Sequence, residues 1–553
     1  MATVKLFTAA NFALFVLFLF LFQRLRIRSS STRRDAESEE SLDMNLDASF
    51  TDAARQLRAK LVAALPDSVV TPENAAKFEE SVKQYWAQQA CETVPSCVVR
   101  PRDVEELSQA IKILKCEFDR RTEDISSDND DRNIFATRSG GHSPVARASS
   151  IQGGALIDLG LFDEVSISHD ERSVIIGSGC KWGDVYKALE SKGLGVAGGR
   201  NAAVGVGGLS LGGGLSFFSP RFGFVCSNII QYEIVLADGS VVQATAESHS
   251  DLWRALKGGA NNFGVVSRFE VRAFPSPKLW SGFIYLHSSQ APKVLSSFHD
   301  FLDRTLTGDE GKTYDDFAAG PIVCFTYLQQ LGIQAVAVAI THTKLPKNDK
   351  KWPRCWQTSG FSKLWRFWST CSVKSLAAAS DEMSVLNPPG RRQEFATTTI
   401  KNDQPTLAVA HRAYRDAIGE IRKHNIQNMS WTLVLQPMLP EWTRKGDSNV
   451  LGLSDGESTR ALVNVSFTVN WKLSQDDSTV QRITRAAIEQ IDAYAEAHNT
   501  GHCYRYINYC GSWQKPFDGY GQDNLKFMGE VSRRYDPEGL FQKGCAGGFK
   551  LGR

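Results

Sequence analysis

Residues 138–143 read RSGGHS. One of only ten histidines in the 553-residue chain stands directly behind two glycines, where a dinucleotide-binding fingerprint would not put it. Glycine lets backbone N–H groups approach an anion closely and supplies positive φ where a turn needs it. Two more glycine-rich stretches follow, GGRNAAVGVGGLSLGGGLS at 198–216 and KGGANNFGVV at 257–266. GVGGLS lacks the third glycine of GxGxxG, and no GK[ST] follows for a P-loop. Three such loops in succession predict a large polyanionic group wrapped in some other way.

Outward from these loops, the pattern alternates. A short strand CVVRP from Cys97 leads to the helix DVEELSQAIKILK, and strands are predicted at GGALIDL, SVIIGSG, QYEIVLADGSVVQA and GVVSRFEVRAF, with the helix WGDVYKALESKG between them. Before them, residues 50–90 carry helical spacing in two segments, DAARQLRAKLVAAL and ENAAKFEESVKQYWAQQ, separated by the breaker DSVVTPEN. Beyond residue 276 glycine clusters thin out, and apolar strands (WTLVLQPML, ALVNVSFTVNWKL) alternate with amphipathic helices such as VQRITRAAIEQIDAYAEAH. That region reads as an antiparallel sheet backed by helices. The last fifty residues are again rich in Gly, Tyr and Asn, a composition that suits a return to the first domain. The predicted organisation is an N-terminal segment 1–28, a polar tether 29–49, helices 50–89, a first domain 90–275, an inserted domain 276–500 and a closing segment 501–553.

Lys plus Arg (63) nearly balances Asp plus Glu (61), and no long basic run could track a phosphate backbone, so nucleic acid is a poor partner. Eleven scattered cysteines, an odd number without CxxC, predict mostly buried thiols, with a bridge through Cys91 or Cys97 left open. His498 and His502 have i, i+4 spacing, but Asn-Thr-Gly between them breaks a helix, and no metal site is expected.

From Leu6 to Phe22 nearly every residue is apolar, slightly short of the roughly 20 a spanning helix needs. No small-residue cleavage site follows, so we read an uncleaved anchor of endoplasmic-reticulum type, with secretion after signal cleavage as the alternative. Arginines at 24, 26, 28, 33 and 34 would leave the body facing the cytosol. The sequons at Asn428 and Asn464 would be used only on the lumenal side.

RSGGHS, GGALIDL, GCKWGDVYKAL, VGVGGLSLGGGLSFFSPRFG, DLWRALKGGANNFGVVSRFEVRAFP and YINYCGSWQKPFDGYGQDNLKFMGEVSRRYDPEGLF occur in that order. Together they resemble the berberine-bridge-enzyme-like FAD-linked oxidases of the vanillyl-alcohol-oxidase flavoprotein fold, above all fungal members of secondary-metabolite pathways. The resemblance covers roughly 98–549. It implies an α+β fold in which a two-part FAD-binding domain (PCMH-type) carries an inserted substrate domain of antiparallel sheet backed by helices.

The resemblance further implies FAD joined covalently through His142, cradled by Arg138, Ser139, Gly140, Gly141, Ser143, Gly205, Gly207, Gly208, Gly212, Gly213, Gly264, Val265, Val266 and Asn508. A neutral imidazole suits that bond as a nucleophile near neutral pH. Where many relatives place a cysteine for a second link this chain has Asn201, so a single link is expected, with a lower flavin potential and a more open site. Val204 matches a position that leaves room for O2; ordinary packing explains a valine equally well. A base must take the substrate proton as the C–H bond breaks. Tyr506 is the leading candidate, with Tyr509 and Gln436 beside it, since no glutamate stands where relatives carry acidic groups. The implied activity is oxidation of an alcohol, amine or related C–H centre of a small metabolite, with hydride passing to flavin N5 and O2 yielding H2O2. The alternative is a flavoprotein cyclase in which oxidation triggers ring closure. Fold does not fix substrate, and the oligomeric state is not legible.

Overall fold

The computed structural model describes residues 49–552 except 124–131, 277, 307–313, 347, 349–350 and 454–459. The apolar segment 6–22 and the tether therefore lie outside the described residues. Among the described residues no helix is long and apolar enough to cross a membrane.

Three sheets organise the chain from Phe50 onward. The first holds β1 (Val69–Val70), β2 (Cys97–Val99), β3 (Phe135–Arg138) and β4 (Ala155–Asp158) in the order β1-β2-β4-β3, with β4 parallel to both neighbours. Strands that run the same way in one sheet need a crossover, and helix Val104–Glu123 supplies it between β2 and β3, which flank β4. Its buried Leu107, Ala110, Ile111, Leu114 and Phe118 form one stripe against the sheet. Glu105 and Glu106 in its first turn and Arg120 and Arg121 in its last suit the helix dipole. Glu117, fully buried, is matched by Lys60, Arg120 and Arg121. The C-terminal segment comes back to this sheet: Ala546 N donates to Phe135 O at 2.6 Å and Ile134 N to Gly544 O at 2.8 Å.

The second sheet contains β5 (Val165–Ile167), β6 (Ser173–Gly177), β7 (Leu194–Val196), β8 (Ile229–Val235), β9 (Val241–Ala244) and β10 (Val265–Pro275), in the order β5-β6-β10-β8-β9 with β7 on β10. QYEIVLADGSVVQA thus forms a hairpin where a single strand was expected. Asp238 Oδ1 accepts from Ser240 N at 2.8 Å, and Gly239 takes φ +80°, which turns the chain back.

The third sheet joins β11 (Leu279–His287), β12 (Ala318–Leu328), β13 (Ile333–His342), β14 (Trp368–Ser369), β15 (Ser372–Lys374), β16 (Arg392–Lys401), β17 (Ser430–Met438), β18 (Leu462–Trp471) and β19 (Gly501–His502). Its order is β14-β11-β13-β12-β17-β18-β16-β19, and every pairing is antiparallel. Helices Gln404–Ile421 and Asp477–Ala497 pack together and cover one face, each burying an apolar stripe.

All eleven cysteines are free thiols, so neither Cys91 nor Cys97 is bridged. The sequon Asn464 is fully buried in β18, which removes it as an acceptor on the folded chain, whereas Asn428 is exposed in a turn. The expected helix 73–89 is broken into Ala75–Val82 and Gln88–Cys91. Trp86, in the break, turns inward to lie on His142.

Candidate active site

RSGGHS leaves the end of β3 and meets the 198–208 loop at very short range. A Cβ on Gly140 would stand 2.5 Å from Gly205 Cα, and one on Gly205 would stand 2.4 Å from Gly140 N. Ser139 ties the loops together: its Oγ donates to Ser178 O at 2.6 Å and accepts from Gly207 N at 3.2 Å. Gly141 takes φ +62°, with Gln84 O in the place a Cβ would fill. The glycines of 212–214 serve a third contact: at Gly212 a Cβ would meet Asn508 Oδ1 at 2.2 Å, and Gly213 has φ +102°. Asn508 Nδ2 donates to Leu209 O at 3.2 Å and to the Tyr506 hydroxyl at 3.1 Å.

His142 makes no hydrogen bond to any described residue, and its ring stacks on Trp86 with centroids 4.3 Å apart and planes 9° apart. Desolvation by the surrounding chain, with nearby Lys181 adding, pushes the imidazole down to about 3, so it is neutral at physiological pH. From Trp86 an aromatic path runs to Phe395 (5.4 Å), on to Tyr509 (5.6 Å) and then to Tyr506 (4.8 Å, edge to face).

The two tyrosines differ. Tyr506 is buried, and that burial pushes its phenol well above the ordinary value, which disfavours it as a proton acceptor. Tyr509 is half-exposed, and Arg200 Nη2 lies 3.2 Å from its hydroxyl and 2.7 Å from Gln436 Oε1. Arg200 thus draws together two residues 73 positions apart in sequence, one on β17 and one in the C-terminal segment. Sequence reading passed over this arginine, although a cation inside the glycine-rich GGRNAAVGVGG stretch was its signal.

The other expected residues make the following contacts within the chain. Arg138 donates to Ser81 O (2.6 Å), Ser81 Oγ (2.8 Å) and Asp158 Oδ2 (2.9 Å), and its guanidinium lies 4.7 Å from the centre of the Tyr85 ring. It is an internal strut that holds the strand end from which the histidine loop departs. Val265 and Val266 pair with Val235 and Ile234 and bury their side chains in the core. At Gly264 a Cβ would meet Val235 O at 2.6 Å, so this glycine serves strand packing. Asn201 Oδ1 accepts from Ala203 N at 2.9 Å, and Val204 O accepts from Trp182 N at 3.0 Å. Ser143 Oγ accepts from Val145 N at 3.2 Å, turning the chain just past the histidine.

The face of the third sheet that carries Gln436 is polar at one end. Asn464 pairs with Gln436 across β17 and β18, and Thr399 pairs with Asn464 across β16. Among the described residues, buried Asn464 Oδ1 and Thr399 Oγ1 have no hydrogen-bond partner, and the same holds for Ser178 Oγ beside the histidine loop and Asn261 Oδ1 in the 257–266 loop. Such buried atoms ordinarily find partners. Gly208 has no atom within 4 Å of an added Cβ. Unpartnered polar atoms beside two interlocked glycine loops fit a flat, polar cofactor with a diphosphate. Toward β11 and β13 the same sheet carries a separate apolar cluster of Phe283, Ile322, Ala339 and Val434, with Tyr285, Cys324 and Met383 against it.

Residues 95–245 match the FAD binding domain family. The chain is 31% identical over 503 residues to the FAD-dependent monooxygenase sdcF of Emericella nidulans, spanning 90% of this chain and 98% of that protein. It is 31% identical over 497 residues to a Diaporthe leptostromiformis protein named Oligopeptidase PhomG', of which it spans only 37%. Among solved structures, 6-hydroxy-D-nicotine oxidase from Arthrobacter nicotinovorans superposes with a TM-score of 0.67 at 20% identity, covering 86% of this chain and 97% of that one. The wild-type Physcomitrella patens BBE-like 1 protein gives 0.65 at 17%, covering 88% and 97%. With the interlocked glycine loops, these likenesses establish that the chain belongs to the berberine-bridge-enzyme-like family of FAD-linked oxidoreductases.

Proposed function

We propose that this protein is an oxidase of a lipophilic secondary metabolite, holding FAD by a single covalent bond through His142. The observation that carries the reading is the Arg200–Tyr509–Gln436 cluster, joined to His142 by the aromatic path through Trp86 and Phe395. FAD, when bound, accepts a hydride at N5 and delivers the electrons to O2 as H2O2. His142 offers a neutral, unbonded imidazole for attachment. Asn201 carries no thiol, which supports the single link. Tyr509 takes the proton from the substrate hydroxyl or amine. To do so Tyr509 acts as its phenolate, whose negative charge the guanidinium of Arg200 offsets until the proton arrives, and Gln436 fixes the guanidinium. The apolar cluster around Phe283 and Ile322 supports a lipophilic substrate body and excludes water from the reacting end. The segment 6–22 would hold the enzyme at a membrane where such a metabolite partitions.

The test is made on full-length protein. Acid denaturation followed by peptide mass spectrometry should place one FAD on the peptide containing His142. A panel of lipophilic alcohols and amines should then include compounds that consume O2 and release H2O2 in equal amounts. Oxygen from O2 appearing in the product would instead match the monooxygenase names of the fungal relatives, and anaerobic turnover to an isomer would mark a redox-neutral cyclase. Freely dissociating flavin would overturn the covalent link.

A further inference from the structure

Asp315, His342 and Cys355 converge in a cluster that shares no residue with the Arg200–Tyr509–Gln436 group. Asp315 precedes β12, His342 ends β13, and Cys355 lies in the short helix Arg354–Thr358. One ligand atom from each lies within 4.8 Å of the others, and His342 Nε2 is 3.1 Å from Asp315 Oδ2. Donors around a tetrahedral zinc, with bonds of about 2.0–2.3 Å, stand about 3.3–3.8 Å apart. Closing this cluster on a metal therefore needs shifts of at most about 1 Å.

The hydrogen bonding separates this group from an ordinary ion pair. His342 Nδ1 lies 2.5 Å from the Lys344 carbonyl oxygen, so Nδ1 carries hydrogen and donates it. In the neutral ring Nε2 then presents a lone pair to a carboxylate oxygen, an arrangement that needs a proton or a metal cation between them. A backbone carbonyl on the far ring nitrogen is the contact that orients metal-ligating histidines. Asp315 is held as well, Oδ1 accepting from Phe317 N at 3.0 Å. The Cys355 Sγ lies within 4.8 Å of both the His342 and the Asp315 ligand atoms. A nucleophile–base–acid chain would need the histidine hydrogen-bonded to the thiol, whereas among the described residues His342 bonds to Lys344 O and Asp315. The side chains of His342 and Asp315 keep 12% and 32% of their exposure, so an ion can enter.

We propose that Asp315, His342 and Cys355 bind one divalent transition-metal cation of the zinc class, with a fourth position open to water. Thiolate and imidazole donors select such a cation over Mg2+ or Ca2+. On binding, the thiol proton, and any second imidazole proton, pass to solvent and the metal takes the freed lone pairs. The ion would tie the Cys355 helix to the ends of β12 and β13. The site shares no residue with the cleft, so it stands or falls apart from the oxidase reading.

Full-length flavin-loaded protein, stripped with a chelator, is titrated with Co2+ alone, read by difference absorption, and with Zn2+ alone, read by equilibrium dialysis and elemental mass spectrometry. One equivalent of each is expected, with a thiolate-to-cobalt charge-transfer band in the near ultraviolet. Cys355→Ser should abolish the band and weaken Zn2+ binding by roughly 100-fold or more, with bound flavin unchanged. Should that variant fail to fold, His342→Gln, accepted on a native circular dichroism spectrum, is expected to show the same loss of affinity. Wild-type protein that retains no metal, or metal retained equally by the variants, overturns the site.

Discussion

Substituting alanine at Gly140 wedges apart the two loops on which the site depends. The new methyl would stand 2.5 Å from Gly205 Cα and 2.6 Å from Gly205 N, and both are backbone atoms, so no flexible side chain can swing away. Reaching ordinary contact near 3.4 Å moves one loop by about 0.9 Å, an overpacking that costs about 1–3 kcal/mol. The displacement also loosens the Ser139 bonds to Ser178 and Gly207, about 0.5–1.5 kcal/mol each. With part of each bond surviving, the expected loss is about 2–4 kcal/mol. Gly205→Ala should cost as much. The double variant should cost less than the two single losses together, because the first methyl has already parted the loops. Gly208→Ala is the informative contrast. Its Cβ meets nothing within 4 Å, and the residue lies in helix Val206–Leu211, so the flavin-free chain gains up to about 1 kcal/mol. If the open space beside Gly208 receives the cofactor, that variant should still lose bound flavin. Urea unfolding of flavin-free protein, followed by tryptophan fluorescence, and flavin per chain from absorbance provide the two readouts. A Gly140→Ala protein with unchanged midpoint and flavin content would refute the interlocking-loop argument, as would a Gly208→Ala protein destabilised to the same degree.

Arg200→Lys should lower kcat about 100-fold with a smaller change in KM, since both bonds leave from Nη2 at the far end of the guanidinium, a position the shorter lysine does not reach; an unchanged kcat removes Arg200 from the chemistry. Tyr509→Phe should cost about 100- to 10,000-fold in kcat and Tyr506→Phe much less, and the reverse order in steady-state kinetics would return the base to Tyr506. His142→Ala should leave no flavin fluorescence on a denaturing gel, and persistent fluorescence would place the link elsewhere. Burial, with Asp477 adding, pushes the Glu394 carboxyl up to about 8. The folded chain then holds a proton that the unfolded chain releases near 4.5. This contribution to stability is complete below about pH 4.5 and is lost as pH rises toward 8. Glu394→Gln should flatten that decline in urea midpoints measured from pH 5 to 9, and an unaltered slope would show that Glu394 ionises without cost.

Much of the scaffold was legible because its signals are local. The helix read at 103–115 forms, and runs on to Glu123, because its apolar spacing is local; the long strands of the third sheet show in their β-branched and aromatic runs. Where local signals compete the reading slipped. Residues 73–89 have continuous helical spacing, yet the chain breaks there, and at the break Trp86 stacks on His142 and donates to Asn387 O, contacts between segments distant in sequence that no local pattern shows. The hairpin at Asp238-Gly239 was hidden by unbroken strand composition on either side.

The ordered motifs alone specified the family, the cofactor type and the histidine behind two glycines, because a diphosphate demands bare backbone and only glycine provides it. Which side chains gather at the proposed reacting centre was a different matter. Arg200, Tyr509, Gln436 and Trp86 come from a loop, the C-terminal segment, a central strand and a helix break, and no periodicity relates them. The proposal of Tyr509 over Tyr506, three residues apart, rests on burial of one phenol and an arginine on the other. The same holds for Asp315, His342 and Cys355, which are adjacent only because β12 and β13 pair and a short helix folds back on their ends. Spacing along a chain records the elements that short-range sterics and burial impose, whereas catalysis and metal binding depend on groups within a few ångströms of each other, and only the packed sheets bring those groups together.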